Sequence, residues 1–188
     1  MEIKPKIRFL KEMKEVLFDQ KWLKTAANLK LYYMYRAVKQ KGELRYDITV
    51  IPHKMLGKEF VKTKGNRNSN NYPELYTVLQ GEALFLLQKS EGKIVKQASF
   101  SKLKKGDWII AQPDEYIIAI NPLKKTLKLA NWVSKKNKNI YETIEKMKGA
   151  CYFYTENGWI KNKNYKSVPK LKIKKPLKKA PKDLSFLI

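Results

Sequence analysis

The chain has one histidine and one cysteine in 188 residues. A lone Cys151 excludes an internal disulfide and any zinc cluster built from cysteines, and a lone His53 excludes a site made of several imidazoles. Such sparing use of thiols fits a reducing compartment, so a cytoplasmic location is expected. Long apolar runs are also missing. No window approaches a membrane span, and the opening MEIKPKIRF lacks the apolar core of a signal peptide, which predicts a soluble protein with no membrane partner. Arginine is confined to Arg8, Arg36, Arg45 and Arg67, so bidentate reading of base edges is not the expected mode of any nucleic-acid contact.

Acids are scarce relative to bases: 17 Asp plus Glu stand against 41 Lys plus Arg, a formal net charge of +24. Charge of one sign on this scale opposes compaction, and a polyanionic partner is its usual reason. Codon bias or a hot habitat also enriches lysine, but that route normally raises glutamate alongside it. A hydrophobic fraction of 43% is enough for one ordinary core.

Patterning divides the chain. Leu10, Met13 and Leu17 recur at helical spacing and predict a short amphipathic helix over 10–18. LKLYYMYRAV, a turn at KQKGE and RYDITVIP read as two strands. From Ile48 to Val133, short apolar runs alternate with turn residues, giving at least six strands and a closed or sandwiched β-structure. Ile140, Ile144 and Met147 return to helical spacing, with Gly149 where a C-terminal cap belongs. Between Lys161 and Lys182 there are ten lysines and no acid, broken by Pro169, Pro176 and Pro181. This reads as a strap over the body or a tail towards a partner, burying little apolar area, with Leu184, Phe186, Leu187 and Ile188 free to tuck in at the end. The expected division is residues 1–160 as a barrel with an N-terminal helix and strands, and residues 161–188 as a lysine-rich extension.

The stretch KTKGNRNSNNYPELYTVLQGEALFLLQ resembles the first signature of the cupins. Within them it is similar to the archaeal-type glucose-6-phosphate isomerases, whose pattern is a Gly-His-x-His loop, a short gap and Pro-Glu-x-Tyr. ITVIPHKMLGKEF before it, KKGDWIIAQP and INPLKKTLKLANWV after it, and GACYFYTENGWIKN near the end extend the likeness over roughly residues 8 to 170. The resemblance implies an all-β cupin fold: a double-stranded β-helix, or jelly-roll barrel, with short terminal helices and the basic extension. In that family two loop histidines, the glutamate and a distal histidine hold a metal ion. The matching positions here are Asn66, Asn68, Glu74 and a residue on or near Ile117, so three of the four ligands are replaced and no metal or cofactor is expected. His53 lies where the family uses no ligand.

Further pocket positions implied by the resemblance are Thr49, Thr63, Gly65, Tyr72 and Tyr76, with Lys64 able to hold a phosphate. Each also has a plain structural reading as a strand or turn residue. Glu74 is the residual catalytic candidate, although it could simply cap backbone amides or pair with Arg67. Cys151, in an apolar-aromatic run, reads as a buried, inert thiol. Two functions remain open. The first is a metal-free cupin, no longer catalytic, repurposed as an RNA-binding or ribonucleoprotein component. Structured RNA or the ribosome would be its partner, held by Lys104, Lys105, Lys135, Lys136, Lys161, Lys163, Lys166, Lys170, Lys172, Lys174, Lys175, Lys178 and Lys179. The second is a sugar-phosphate isomerase, or a binder of its substrate, working without the metal. Barrels of this type also pair into homodimers.

Overall fold

The computed structural model describes residues 3–188. Lys6–Phe9 (β1) leads into two turns of 3-10 helix, Leu10–Glu12 and Lys14–Val16, and a short helix, Gln20–Leu23 (α1). These turns replace the amphipathic helix expected over 10–18. The Glu12 carboxylate reaches back to accept from the Phe9 amide at 2.8 Å and from Arg8 at 3.0 Å, closing the first turn on itself. The Val16 carbonyl is taken by the Lys62 ammonium at 2.9 Å, which stops further winding. Leu10, Met13, Val16 and Leu17 still reach the core, so the apolar spacing recorded burial correctly and helix type wrongly.

The body runs through Lys30–Lys41 (β2), Leu44–Ile51 (β3), Met55–Leu56 (β4), Glu59–Phe60 (β5), Arg67–Asn68 (β6), Glu74–Gln80 (β7), Glu82–Glu91 (β8), Ile94–Lys104 (β9), Trp108–Ala111 (β10), Tyr116–Ile120 (β11) and Leu127–Ser134 (β12). Asn139–Ile140 (β13), the helix Glu142–Lys146 (α2), the hairpin Tyr152–Thr155 (β14) and Gly158–Lys161 (β15), and Lys172–Ile173 (β16) complete it. One sheet has the order β1-β2-β3-β12-β7-β10 and the other β11-β8-β9-β16. Their inner faces meet around a core that includes Phe85, Leu87, Ile51, Val78, Ile109 and Leu129. Each such side chain contributes about 1.5–3 kcal/mol by leaving water. This is the jelly-roll arrangement of the cupins.

Strand alternation selects what enters the barrel. On β2 the inward residues are Tyr32, Met34 and Arg36; on β3 Thr49; on β7 Glu74 and Tyr76; on β12 Leu129 and Asn131. A bulge on β2 between Tyr35 and Lys39 interrupts its pairing with β3 just past the inward-facing Arg36. Ala37 there adopts φ of +51°, and its amide donates to Asp47 Oδ1 at 2.8 Å. Asp47 Oδ2 accepts from Arg36 at 2.6 Å and from Arg45 at 3.1 Å, so this fully buried carboxylate is satisfied and the strained turn is held.

β8 is buried on both faces because the C-terminal segment covers its outer side. Tyr165, Val168 and Leu171 pack there. The Tyr165 hydroxyl is 3.0 Å from Gln88 Nε2. β16 adds to β9 in parallel, Trp108 and Leu177 exchange backbone hydrogen bonds at 2.8 Å, and Leu187 is fully buried beside Leu44 and Leu75. The proline-broken lysine run is therefore a strap laid over the body, and it buries more apolar surface than its composition suggests. None of the helices among the described residues is long and apolar enough to cross a membrane.

Candidate functional site

The barrel interior opens into a narrow cleft between the two sheets. Tyr32, Met34, Arg36, Thr49, Glu74, Tyr76 and Asn131 come from one sheet, and Phe85, Ile117 and Ala119 from the other. Thr63, Lys64, Gly65 and Asn66 from the loop before β6, with Asn139 and Tyr141, form its mouth. Its cavity volume is about 40 Å³. That holds about three waters, so a larger ligand requires the mouth to open. Lys64 guards it: its ammonium pairs with Glu145 on α2 at 2.5 Å and lies 5.4 Å from the Tyr141 ring centroid.

Gly65 makes the mouth possible. Its φ is +87°, and a Cβ there would sit 2.7 Å from Ile118 Cγ1, so neither the conformation nor the space admits a side chain. Asn66 then pairs with Ile117 across the mouth, Ile117 donating its amide to the Asn66 carbonyl at 2.9 Å.

Glu74 is the chemical centre. It is 4% exposed, and Oε1 accepts from Asn131 Nδ2 at 2.6 Å. Oε2 is buried with no partner within the protein. Burial pushes this carboxyl up to about 7, and the nearby Tyr76 hydroxyl and the Arg36 charge offset only part of the effect. Burial, and then the adjacent Glu74, push the Tyr76 phenol far in the same direction, so Tyr76 stays protonated at neutral pH. A carboxyl that titrates near neutrality beside a permanent hydroxyl donor suits proton transfer.

The loop positions that the resemblance assigns to metal ligands do other work. Asn68 accepts from Asn137 Nδ2 at 2.9 Å through Oδ1 and donates to the Tyr72 carbonyl at 3.0 Å, and it does not line the cleft. Asn137 in turn accepts from the Ser69 amide at 3.1 Å, while β13 pairs with β6. The loop is thus zipped by side-chain amides to the segment before α2. What faces the cleft is one carboxylate, the Asn66 amide and the apolar Ile117, a donor set that does not fit a divalent transition metal. Among the described residues no cluster of three or more His, Cys, Asp or Glu side chains could hold an ion.

Thr49, Thr63, Lys64, Gly65, Asn66, Glu74, Tyr76 and Ile117 lie together in the cleft, whereas Asn68 and Tyr72 lie beside it. His53 is absent from the cleft lining, and its Nδ1 is buried without a partner. Glu74 does not pair with Arg67, whose guanidinium lies over the Tyr116 ring at 5.9 Å. Cys151 is fully buried, and burial raises its thiol to about 12. Sequence reasoning missed Tyr32, Met34, Arg36 and Asn131. The alternation of β2 carried the signal for the first three; for Asn131 the sequence offered none, because an asparagine in an apolar strand reads as a defect until its partner is known.

The lysines singled out by composition are exposed, with one exception: Lys174 is half-buried, donating to the Ile110 carbonyl at 3.0 Å and lying 3.4 Å from Glu115. Lys178 pairs with Asp107 at 2.9 Å and Lys136 with Glu43 at 3.7 Å. Lys104, Lys105, Lys135, Lys161, Lys163, Lys166, Lys170, Lys172, Lys175 and Lys179 all face outward.

The family model described as glucose-6-phosphate isomerase (GPI) matches residues 8–170. Among solved structures, a vicilin of hazelnut, Corylus avellana, shares 16% identity over 62% of this chain and 33% of its own, with a TM-score of 0.47. The cupin domain of Cnp3 from Schizosaccharomyces pombe shares 11% identity over 68% of this chain and 79% of its own, with a TM-score of 0.42. An oxalate oxidase shares 10% identity over 54% of this chain, with a TM-score of 0.43; the chain spans 49% of that protein. Among curated proteins no match is found.

Proposed function

The chain belongs to the glucose-6-phosphate isomerase family, whose pattern spans residues 8–170, and we propose that its cleft binds a sugar phosphate and moves a proton on it with Glu74 in place of a metal-assisted route. The observation that carries this reading is the unpaired, buried Oε2 of Glu74 in a cleft lined by hydroxyl and cationic groups. An unpartnered buried carboxyl oxygen costs about 1–3 kcal/mol, and a ligand hydroxyl placed there removes that cost.

Aldose–ketose interconversion needs one proton moved between neighbouring carbons and one between their oxygens. Ionised Glu74 takes the proton from the carbon beside the carbonyl. The C–H electron pair becomes the enediol double bond, and the carbonyl pair moves onto oxygen, where the protonated Tyr76 can donate a hydrogen bond. Glu74 then returns the same proton to the former carbonyl carbon, while the neighbouring hydroxyl becomes the new carbonyl by giving its proton, through the Tyr76 hydroxyl, to the oxygen that carried the charge. Lys64, released from Glu145 as the mouth opens, would meet the phosphate as a point charge. Calorimetric titration of fructose 6-phosphate into the full chain should give saturable binding that Lys64→Ala weakens; no binding at millimolar sugar phosphate would contradict the reading.

A second reading, a cytoplasmic component bound to structured RNA, is favoured by the strap. Pairing of β16 with β9 fixes the backbone so that Lys170, Lys172 and Lys175 point to solvent instead of folding back. Lysines of this kind, set against phosphates, would release counterions. Replacing these three with glutamine should therefore lower affinity for structured RNA and flatten its salt dependence, by about one unit of log–log slope for each phosphate no longer neutralised. An unchanged slope would remove the strap from that role.

A further inference from the structure

The outer face of the six-stranded sheet has an aromatic surface that neither the cleft nor the strap uses. Because Tyr32, Met34 and Arg36 point inward, Tyr33 and Tyr35 point out; because Thr49 lines the cleft, Ile48 and Val50 point out. Register sets Tyr33 opposite Val50 and Tyr35 opposite Ile48. All four are half-buried, and none belongs to either apolar core cluster. Beyond the bulge, Tyr46 lies against Trp132 at 4.8 Å between ring centroids, with the Lys39 ammonium 5.9 Å from the Tyr46 ring. The end of the strap covers only the far side of this face, where Leu184 and Leu187 pack near Trp108, Ile110 and Trp132.

We propose that this face is a stacking platform for single-stranded nucleic acid, with bases lying on Tyr33 and Tyr35 and phosphates on Lys39 and Lys128. The two tyrosines are two residues apart on one strand, about 7 Å, which leaves room for one base on each ring. Every base offers a π-face, so such a platform needs no arginine to read base edges, and the chain has few arginines. Charge decides between this occupant and a second copy of the chain. The rim carries Lys39, Lys41 and Lys128 against Glu43 and Asp183, while Arg45 faces the other way onto the buried Asp47. A two-fold pairing would turn that rim onto itself between chains of +24 each. The platform is separate from the cleft and from the strap lysines, so it stands or falls without either.

The test uses the full-length protein with a fluorescent twelve-nucleotide single-stranded RNA and its duplex at 100 mM salt. The single strand should bind more tightly than the duplex, and Tyr33→Ala with Tyr35→Ala should weaken single-strand binding by about tenfold or more while leaving duplex binding unchanged. Phenylalanine at both positions should restore it, since stacking needs the ring and not the hydroxyl. Should the alanine variant fail to fold, ultraviolet crosslinking of 4-thiouridine RNA to the unaltered protein, mapped by mass spectrometry, should place crosslinks on the peptide containing Tyr33 and Tyr35. Equal binding by the alanine variant, crosslinks confined to the strap, or a micromolar dimer that the alanine substitutions dissociate would overturn the proposal, the last outcome assigning the face to a second copy.

Discussion

Asn131 and Glu74 face each other across adjacent strands, the asparagine amide donating to Oε1 at 2.6 Å while Oε2 stays buried and unpaired. One oxygen is thereby fixed and the other left for a ligand. The amide positions the carboxyl without neutralising it, and burial, chiefly, raises that carboxyl to about 7.

That shift makes stability depend on pH with a definite sign. A carboxyl raised from 4.5 to about 7 binds its proton more tightly in the folded state, so its contribution is fully present below pH 4.5 and is lost as pH rises through 7. The span corresponds to about 3 kcal/mol. Glu74→Gln, neutral at every pH, should unfold with a flatter dependence between pH 4.5 and 8 and be relatively more stable at the upper end. Denaturant midpoints across that range would show it; parallel curves for both proteins would mean that Glu74 is not shifted.

Gly65→Ala should destabilise the chain by about 1–3 kcal/mol, since it combines a left-handed backbone with a 2.7 Å approach to Ile118. Thermal melting measures this, and an unchanged melting temperature would mean that the mouth loop rearranges freely.

Truncation within the strap should cost stability as well as charge. Leu187→Ala removes a fully buried side chain and should lower stability by about 2–5 kcal/mol, measured by chemical denaturation. A neutral result would show the strap end to be undocked in solution.

Cys151 should resist alkylation at pH 8 in the folded protein and react on unfolding, because its thiol is buried and raised to about 12. Fast labelling of the native chain would place it in a more open region.

The sequence showed most of the barrel, because ITVIP, ELYTVLQ and EYIIAIN are short apolar runs set off by turn residues, a pattern that survives folding. It showed Glu74 and the loss of imidazoles at Asn66 and Asn68. It could not show that Asn68 is turned onto Asn137, since that hydrogen bond joins positions 69 residues apart. Nor could it show the bulge at Ala37, whose positive φ is held by the buried Asp47 on the next strand. The winding of residues 10–18 was misread for the same reason: Lys62, far along the chain, decides where the turn stops.

The most direct test of the metal-independent cleft is isomerisation of fructose 6-phosphate by chelator-treated protein, followed alongside elemental analysis and the Glu74→Gln variant. The account predicts turnover that is unchanged by chelation, abolished in Glu74→Gln, and accompanied by no stoichiometric transition metal. Turnover that disappears with the chelator and returns with one equivalent of a divalent ion would contradict it.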